Sequence, residues 1–87
     1  MARFRQNPRT AGRALDGLVF VVTPDDHRLH TLNATAAELW RCAANGCTID
    51  EAANAIVERF SVDFATAQQD VAACCEDLVQ RQILLAD

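Results

Sequence analysis

The side chains able to do chemistry in this chain of 87 residues are few: Cys42, Cys47, Cys74, Cys75, His27, His30 and a lone serine, Ser61. Ser61 follows Phe60 with no histidine near it in sequence, so nothing marks a base that would activate it. His27 and His30 are three apart, which on a strand puts them on opposite faces. They can share one metal only if His27 lies in a turn. Cys74 and Cys75 are neighbours that diverge by about 100° around a helix, and Cys42-x4-Cys47 matches no strong zinc spacing. The thiols read better as small buried hydrophobes in a reducing compartment. Gly12, Gly17 and Gly46 are too scattered to cradle a phosphate. Asn33-Ala34-Thr35 fits the glycosylation sequon, but helix capping accounts for Asn33 and no export signal accompanies it. The expectation is a chain that is not an enzyme and that holds no metal or cofactor.

Charge narrows the field further. All eight basic residues are arginine, and Arg3, Arg5, Arg9 and Arg13 lie in the first thirteen positions. Ala14 to Asp87 carries the other four against all twelve acids. An acidic body repels a phosphate backbone, although a basic arm alone can still touch one. No apolar run exceeds the five residues Leu18 to Val22, too short to span a bilayer. The expected address is the cytoplasm, with no membrane and no nucleic acid as partner.

The elements that would position these residues change period at Leu29-His30-Thr31-Leu32-Asn33. Residues 1–12 have no period and read as a flexible Arg-rich arm, with a single domain over 13–87. Arg13 to Leu15 is a short strand, and Asp16-Gly17 is the dipeptide of a tight hairpin turn. Leu18 to Val22 is a continuous β-branched and aromatic run. Such a run wants cover on both faces, so it should be the central strand. Thr23-Pro24-Asp25-Asp26 turns the chain into a third strand, Arg28 to Leu32.

Helix 1 is expected from about Ala34 to Ala44, capped by Asn33 or by the competing Thr35-x-x-Glu38 box, and ending at Asn45-Gly46. Thr48-Ile49-Asp50-Glu51 opens helix 2, whose stripe is Ile49, Ala52, Ala53, Ile56, Val57 and Phe60. Asp63 caps helix 3, from Phe64 to about Gln82. It carries Phe64, Ala67, Val71, Cys74 and Leu78 on one face, with Cys75 and Val79 beside them. Ile83 to Leu85 is an apolar tail packed back on the core. The fold class is α+β: a three-stranded antiparallel meander followed by three helices, akin to a winged helix-turn-helix.

That architecture makes a small DNA-binding regulator the rival function. Helix 3, however, sets Asp70, Glu76 and Asp77 against one cation, Arg81, and helix 2 sets Asp50, Glu51 and Glu58 against Arg59. The charge needed to neutralise phosphates is missing. A third class is peptide binding by strand addition, which needs a free strand edge and apolar surface beside it. Strand 28–32 and the Val71, Cys75, Val79 flank of helix 3 meet that requirement, unless the arm blocks the edge and the flank is ordinary core.

The strand running into a capped helix through Leu32-Asn33-x-Thr35-Ala36, then Leu39-Trp40, resembles the PqqD family, small domains also called RiPP precursor recognition elements. Asp16-Gly17 before an apolar strand and the Thr48-Ile49-Asp50-Glu51 helix start belong to the same resemblance. So do Glu58-Arg59-Phe60-x-Val62-Asp63 leading to Asp70-Val71, and Leu84-Leu85. It covers about Ala14 to Leu85. Ala34 stands where such proteins usually have Pro, and the Cys74-Cys75 pair is foreign to the pattern.

The resemblance implies a non-catalytic peptide chaperone; the sequence leaves open a monomer or a hairpin-exchanged dimer. Such a protein binds the leader of a ribosomally made precursor peptide as an added strand and presents it to a modifying enzyme, often a radical SAM protein. Carried across, the ligand would pair with the backbone of Arg28, Leu29, His30, Thr31 and Leu32. It would lie against Val71, Cys75, Leu78 and Val79, with Gln68 and Gln82 at the rim.

Overall fold

The computed structural model describes residues 3–86. The expected meander and three helices are present, joined by a second small sheet. The strands are β1 (Arg3–Gln6), β2 (Ala11–Leu15), β3 (Leu18–Thr23), β4 (Arg28–Leu32), β5 (Cys47–Thr48) and β6 (Leu84–Ala86). The helices are α1 (Ala34–Cys42), α2 (Ile49–Phe60) and α3 (Phe64–Gln80). One antiparallel sheet has the order β2-β3-β4, the other β5-β1-β6.

The second sheet overturns the reading of residues 1–12 as a flexible arm, within the described part of it; Met1 and Ala2, and Asp87 of the expected domain, lie outside the described residues. Phe4 is 2% exposed, and its strand pairs with β5 on one side and β6 on the other. Burying one phenyl ring is worth about 2 kcal/mol, and β1 adds a ladder on both edges, enough to hold four residues that lack any strand-like period. Asn7 then locks the exit. Its amide N–H donates to the Ile83 carbonyl at 3.0 Å, and its side chain Nδ2 donates to the Gln82 carbonyl at 2.8 Å. The tail Ile83-Leu84 packs back as expected, at 0% exposure for both residues, with the last residues forming a strand.

Local signals hold where they are purely local. Asp16 and Gly17 both take positive φ, 52° and 81°, as a two-residue hairpin turn demands. Asn33 settles the competition for the first cap, accepting from the Ala36 amide at 2.8 Å. Thr48 and Glu51 close their capping box reciprocally, at 3.2 and 2.9 Å, and Asp63 accepts from the Thr66 amide at 3.1 Å. Helix α1 ends two residues earlier than expected, passing through a 3-10 turn over Ala43–Asn45 before Gly46.

The core lies between the inner face of the β2-β3-β4 sheet and the helices. Val19, Val21 and Leu32 face Leu39 and Ala36, and Ala52, Ala53, Ile56, Ala67, Val71 and Leu78 complete the cluster. Phe60 and Phe64, expected on buried stripes, are 38% and 40% exposed at the joint between α2 and α3. On α3 the buried row is Ala67, Val71, Cys75 and Leu78, while Cys74 is half-buried. The apolar arc is thus rotated by one residue from the one read off the sequence. Gly12 contributes by having no side chain: a Cβ there would lie 2.8 Å from Trp40 Cη2 and closer still to Cζ2. The indole therefore seats directly on β2.

Candidate functional site

Strand β4 is bonded to β3 on one side only, and its other edge is unclaimed by any strand among the described residues. Its register is fixed by pairs running from Thr23 with Arg28 to Val19 with Leu32. From Leu29 to Leu32 the strand alternates cleanly. His30 and Leu32 point inward, at 8% and 3% exposure, whereas Leu29 points outward at 65%. Arg28 and Thr31 are exposed. An unpaired strand offers N–H and C=O groups at alternate residues along its open side.

A polar knot at the hairpin end holds this strand still. The Thr23 hydroxyl donates to Asp26 Oδ1, and His30 Nε2 lies 3.0 Å from Thr23 Oγ1. A hydroxyl has one proton to give, so Nε2 of His30 carries the hydrogen of the second bond. The Thr23 hydroxyl, aided by the Arg28 backbone, holds the Asp26 carboxyl below its usual pKa. The Asp26 amide donates to the Thr23 carbonyl at 3.3 Å and His27 takes φ 55°, so the loop closes as a turn with a left-handed exit. His27 accordingly sits in the turn rather than on the strand. Helix α1 packs along the inner side of β3 and β4.

The helix α3 side of the expected site is placed differently. Val71 and Leu78 are 0% and 1% exposed and Cys75 is 9% exposed, all within the core. Helix α3 makes its extensive contacts with α1, α2 and β6. Val79 is half-buried and Gln82 is exposed, with φ 63° just past the helix end. Gln68 is half-buried and donates from Nε2 to Asp50 Oδ1 at 2.8 Å. The larger apolar side chains that the C-terminal half of α3 offers at its surface are therefore Val79 and the half-buried Cys74, a smaller wall than the spacing implied.

The thiols are all free. Burial drives the Cys47 thiol up to about 12 and Cys74 to about 11, and burial is also the main reason Cys42 and Cys75 are raised. None is primed as a nucleophile. Among the described residues no three His, Cys, Asp or Glu side chains come together as a metal site, and no helix is long and apolar enough to cross a membrane. Arg59 on α2 pairs with Glu38 at 3.5 Å, and Arg81, just past α3, pairs with Asp77 at 3.1 Å.

No curated protein sequence matches the chain. Two solved structures share its fold. One is TbiB1 in complex with the TbiA(beta) leader peptide: 20% identity, TM-score 0.84, covering 92% of this chain and 93% of that one. The other is a lasso peptide synthetase B1 complexed with the leader peptide: 22% identity, TM-score 0.82, covering 94% and 96%. The family model described as coenzyme PQQ synthesis protein D (PqqD) matches residues 19–84, from β3 into β6 and so most of the chain. The sequence resemblance and the observed backbone thus meet in one conclusion: this chain belongs to the PqqD family.

Proposed function

We propose that this domain binds the leader segment of a ribosomally made precursor peptide as a fourth strand along β4, and hands it to a modifying enzyme. The observation that carries the reading is the open edge of β4, kept straight and in register by the His30–Thr23–Asp26 knot and by α1 beneath it. The other edge of the sheet, β2, is a poorer platform. All five of its residues are exposed, and its inward positions are Gly12 and Ala14, so Trp40 against Gly12 is its main anchor. Family membership and the leader peptides named in both similar structures support the same reading.

In this reading Arg28, Leu29, His30, Thr31 and Leu32 supply backbone groups. Val79 and Gln82 flank the strand, Gln68 stands at the rim, and Val71, Cys75 and Leu78 form the floor that keeps α3 in place. About four ladder hydrogen bonds at roughly 1 kcal/mol each, with some apolar contact, stand against several kcal/mol for association and for ordering the peptide. The surplus is small and binding is weak to moderate, suited to a carrier that must let go. The domain itself is non-catalytic in this account. The enzyme it serves is a peptide maturase, a radical SAM protein being the first one to try.

The test is calorimetric titration of the domain with synthetic leader segments of candidate precursor peptides, the TbiA(beta) leader among them. Thr31→Pro, which puts a ring and a missing N–H on the edge strand, and Val79→Asp are each expected to abolish the heat of binding while circular dichroism stays unchanged. Undiminished titration by both folded variants would refute the site.

A further inference from the structure

Only part of the β4 backbone is open to a partner, and the hairpin turns fix which part. Residues facing each other across an antiparallel pair alternate between exchanging both of their hydrogen bonds and exchanging none. The two-residue turn Asp16-Gly17, with both residues at positive φ, closes on a bonded pair, Leu15 with Leu18. Along β3, Leu18, Phe20 and Val22 therefore bond to β2, and Val19, Val21 and Thr23 bond to β4. The Thr23 carbonyl does turn that way, accepting from the Asp26 amide at 3.3 Å. The partners of these three are Leu32, His30 and Arg28, so the N–H and C=O groups on the open side belong to Leu29 and Thr31. The chain bounds this short ladder at both ends. His27 leaves the strand line at φ 55°, and the Asn33 carbonyl is taken by the Ala37 amide at 2.8 Å.

The same alternation sorts the side chains of an added strand. Residues directly opposite one another share a face, so positions opposite Leu29 and Thr31 point to the outer face and those opposite Arg28, His30 and Leu32 to the inner one. The two ends of that inner row differ in chemistry. Leu32 is apolar and 3% exposed, at the margin of the core. Arg28 is exposed, and its guanidinium has no hydrogen-bond partner among the described residues. Asp26, the carboxylate that feels its charge, already accepts from the Thr23 hydroxyl and from the Arg28 amide. Between the two ends, His30 has Nε2 committed to Thr23.

We propose that this edge selects leader segments by two side chains four positions apart, an apolar one beside Leu32 and a carboxylate beside Arg28, on a ladder made with Leu29 and Thr31. Every pair in this sheet is antiparallel, and antiparallel pairing is the more stable kind. The apolar residue therefore precedes the acidic one in the leader. The inference rests on the strand-addition reading and narrows it to a class of leader sequence.

The probes are labelled synthetic peptides on a threonine-rich extended background. One carries leucine followed four positions later by glutamate, a second has glutamine for the glutamate, and a third has the leucine and glutamate exchanged. In anisotropy titrations the first is expected to bind the parent domain about two- to fivefold more tightly than the others, the range of an exposed ion pair. Arg28→Gln should erase the difference between glutamate and glutamine, and Arg28→Glu should prefer a peptide with arginine in the glutamate position. Amide hydrogen exchange followed by NMR reads the ladder itself. In the free domain Leu29 and Thr31 should exchange fast and His30 and Leu32 slowly, and the first peptide should slow Leu29 and Thr31. The opposite order in the free domain, equal affinity for the three peptides, or no binding by any of them overturns this selection rule alone. A bound leader that protects no amide of β4 overturns the strand-addition reading and the rule with it.

Discussion

Replacing Gly12 with alanine tests how the two layers meet. The added methyl would lie 2.8 and 3.0 Å from Trp40 Cη2 and Cε2, and nearer to Cζ2, where carbon atoms prefer 3.5–4.0 Å. The indole or β2 must therefore give way by about 1 Å or more. Overpacking of this kind costs about 1–3 kcal/mol, offset by up to about 1 kcal/mol from the stiffer unfolded chain. A net loss of about 1–2 kcal/mol lowers Tm by roughly 4–16 °C for a domain this small. Trp40 is the single tryptophan and there is no tyrosine, so intrinsic fluorescence reports the displaced ring directly, and urea unfolding followed by circular dichroism gives the energy. Trp40→Leu alone should destabilise, but Gly12→Ala combined with Trp40→Leu should cost less than the sum of the two. A Gly12→Ala protein as stable as the parent, with an unshifted emission maximum, would show that the indole does not rest on β2.

Two further outcomes follow from buried groups. Phe4→Ala should cost about 3–5 kcal/mol out of roughly 4–13 kcal/mol expected for a chain of this length, measured by urea unfolding, because Phe4 is buried in a paired strand; a dispensable arm would register no change. Cys47 holds its proton to about 12, whereas an unfolded thiol ionises near 8.5. The folded state therefore binds more protons than the unfolded state above that value. Cys47's contribution is whole below pH 8.5 and is lost as pH climbs toward 12. Cys47→Ala should flatten the alkaline limb of the stability profile, and iodoacetamide at pH 8 should leave Cys47 unlabelled until urea opens the fold.

The parts of the fold that were legible are those written within a few neighbouring residues. Asp16-Gly17 carries its turn in two side chains, and Thr48 with Glu51 carries a helix start in four positions. Strand β4 was legible as well, since Leu32 meets Asn33 where the period shifts. Strand β1 was not. Arg3-Phe4-Arg5-Gln6 has one apolar residue and no turn chemistry, and its partners are two residues of β5 and three of β6 far along the chain. Its order comes from tertiary pairing that no local pattern announces. The α3 flank was legible only in part. Val71, Cys75 and Leu78 form an apolar arc, and periodicity locates an arc without saying whether a neighbour covers it. The core of the protein covers this one. The opposite error befell β3, whose unbroken apolar run implied two covered faces where the chain supplies one.

The pairing of Phe4 with Ala86 has a practical corollary. Backbone entering at β1 and backbone leaving at β6 pass through the same gap, about 5 Å from one to the other. A few linking residues would turn the polypeptide into a ring, and new termini opened at the Asp16-Gly17 hairpin would leave every strand its partners. The same gap lets the unit be spliced whole into a surface loop of a larger protein, stitched at a single seam, with the margin of β4 still facing outward.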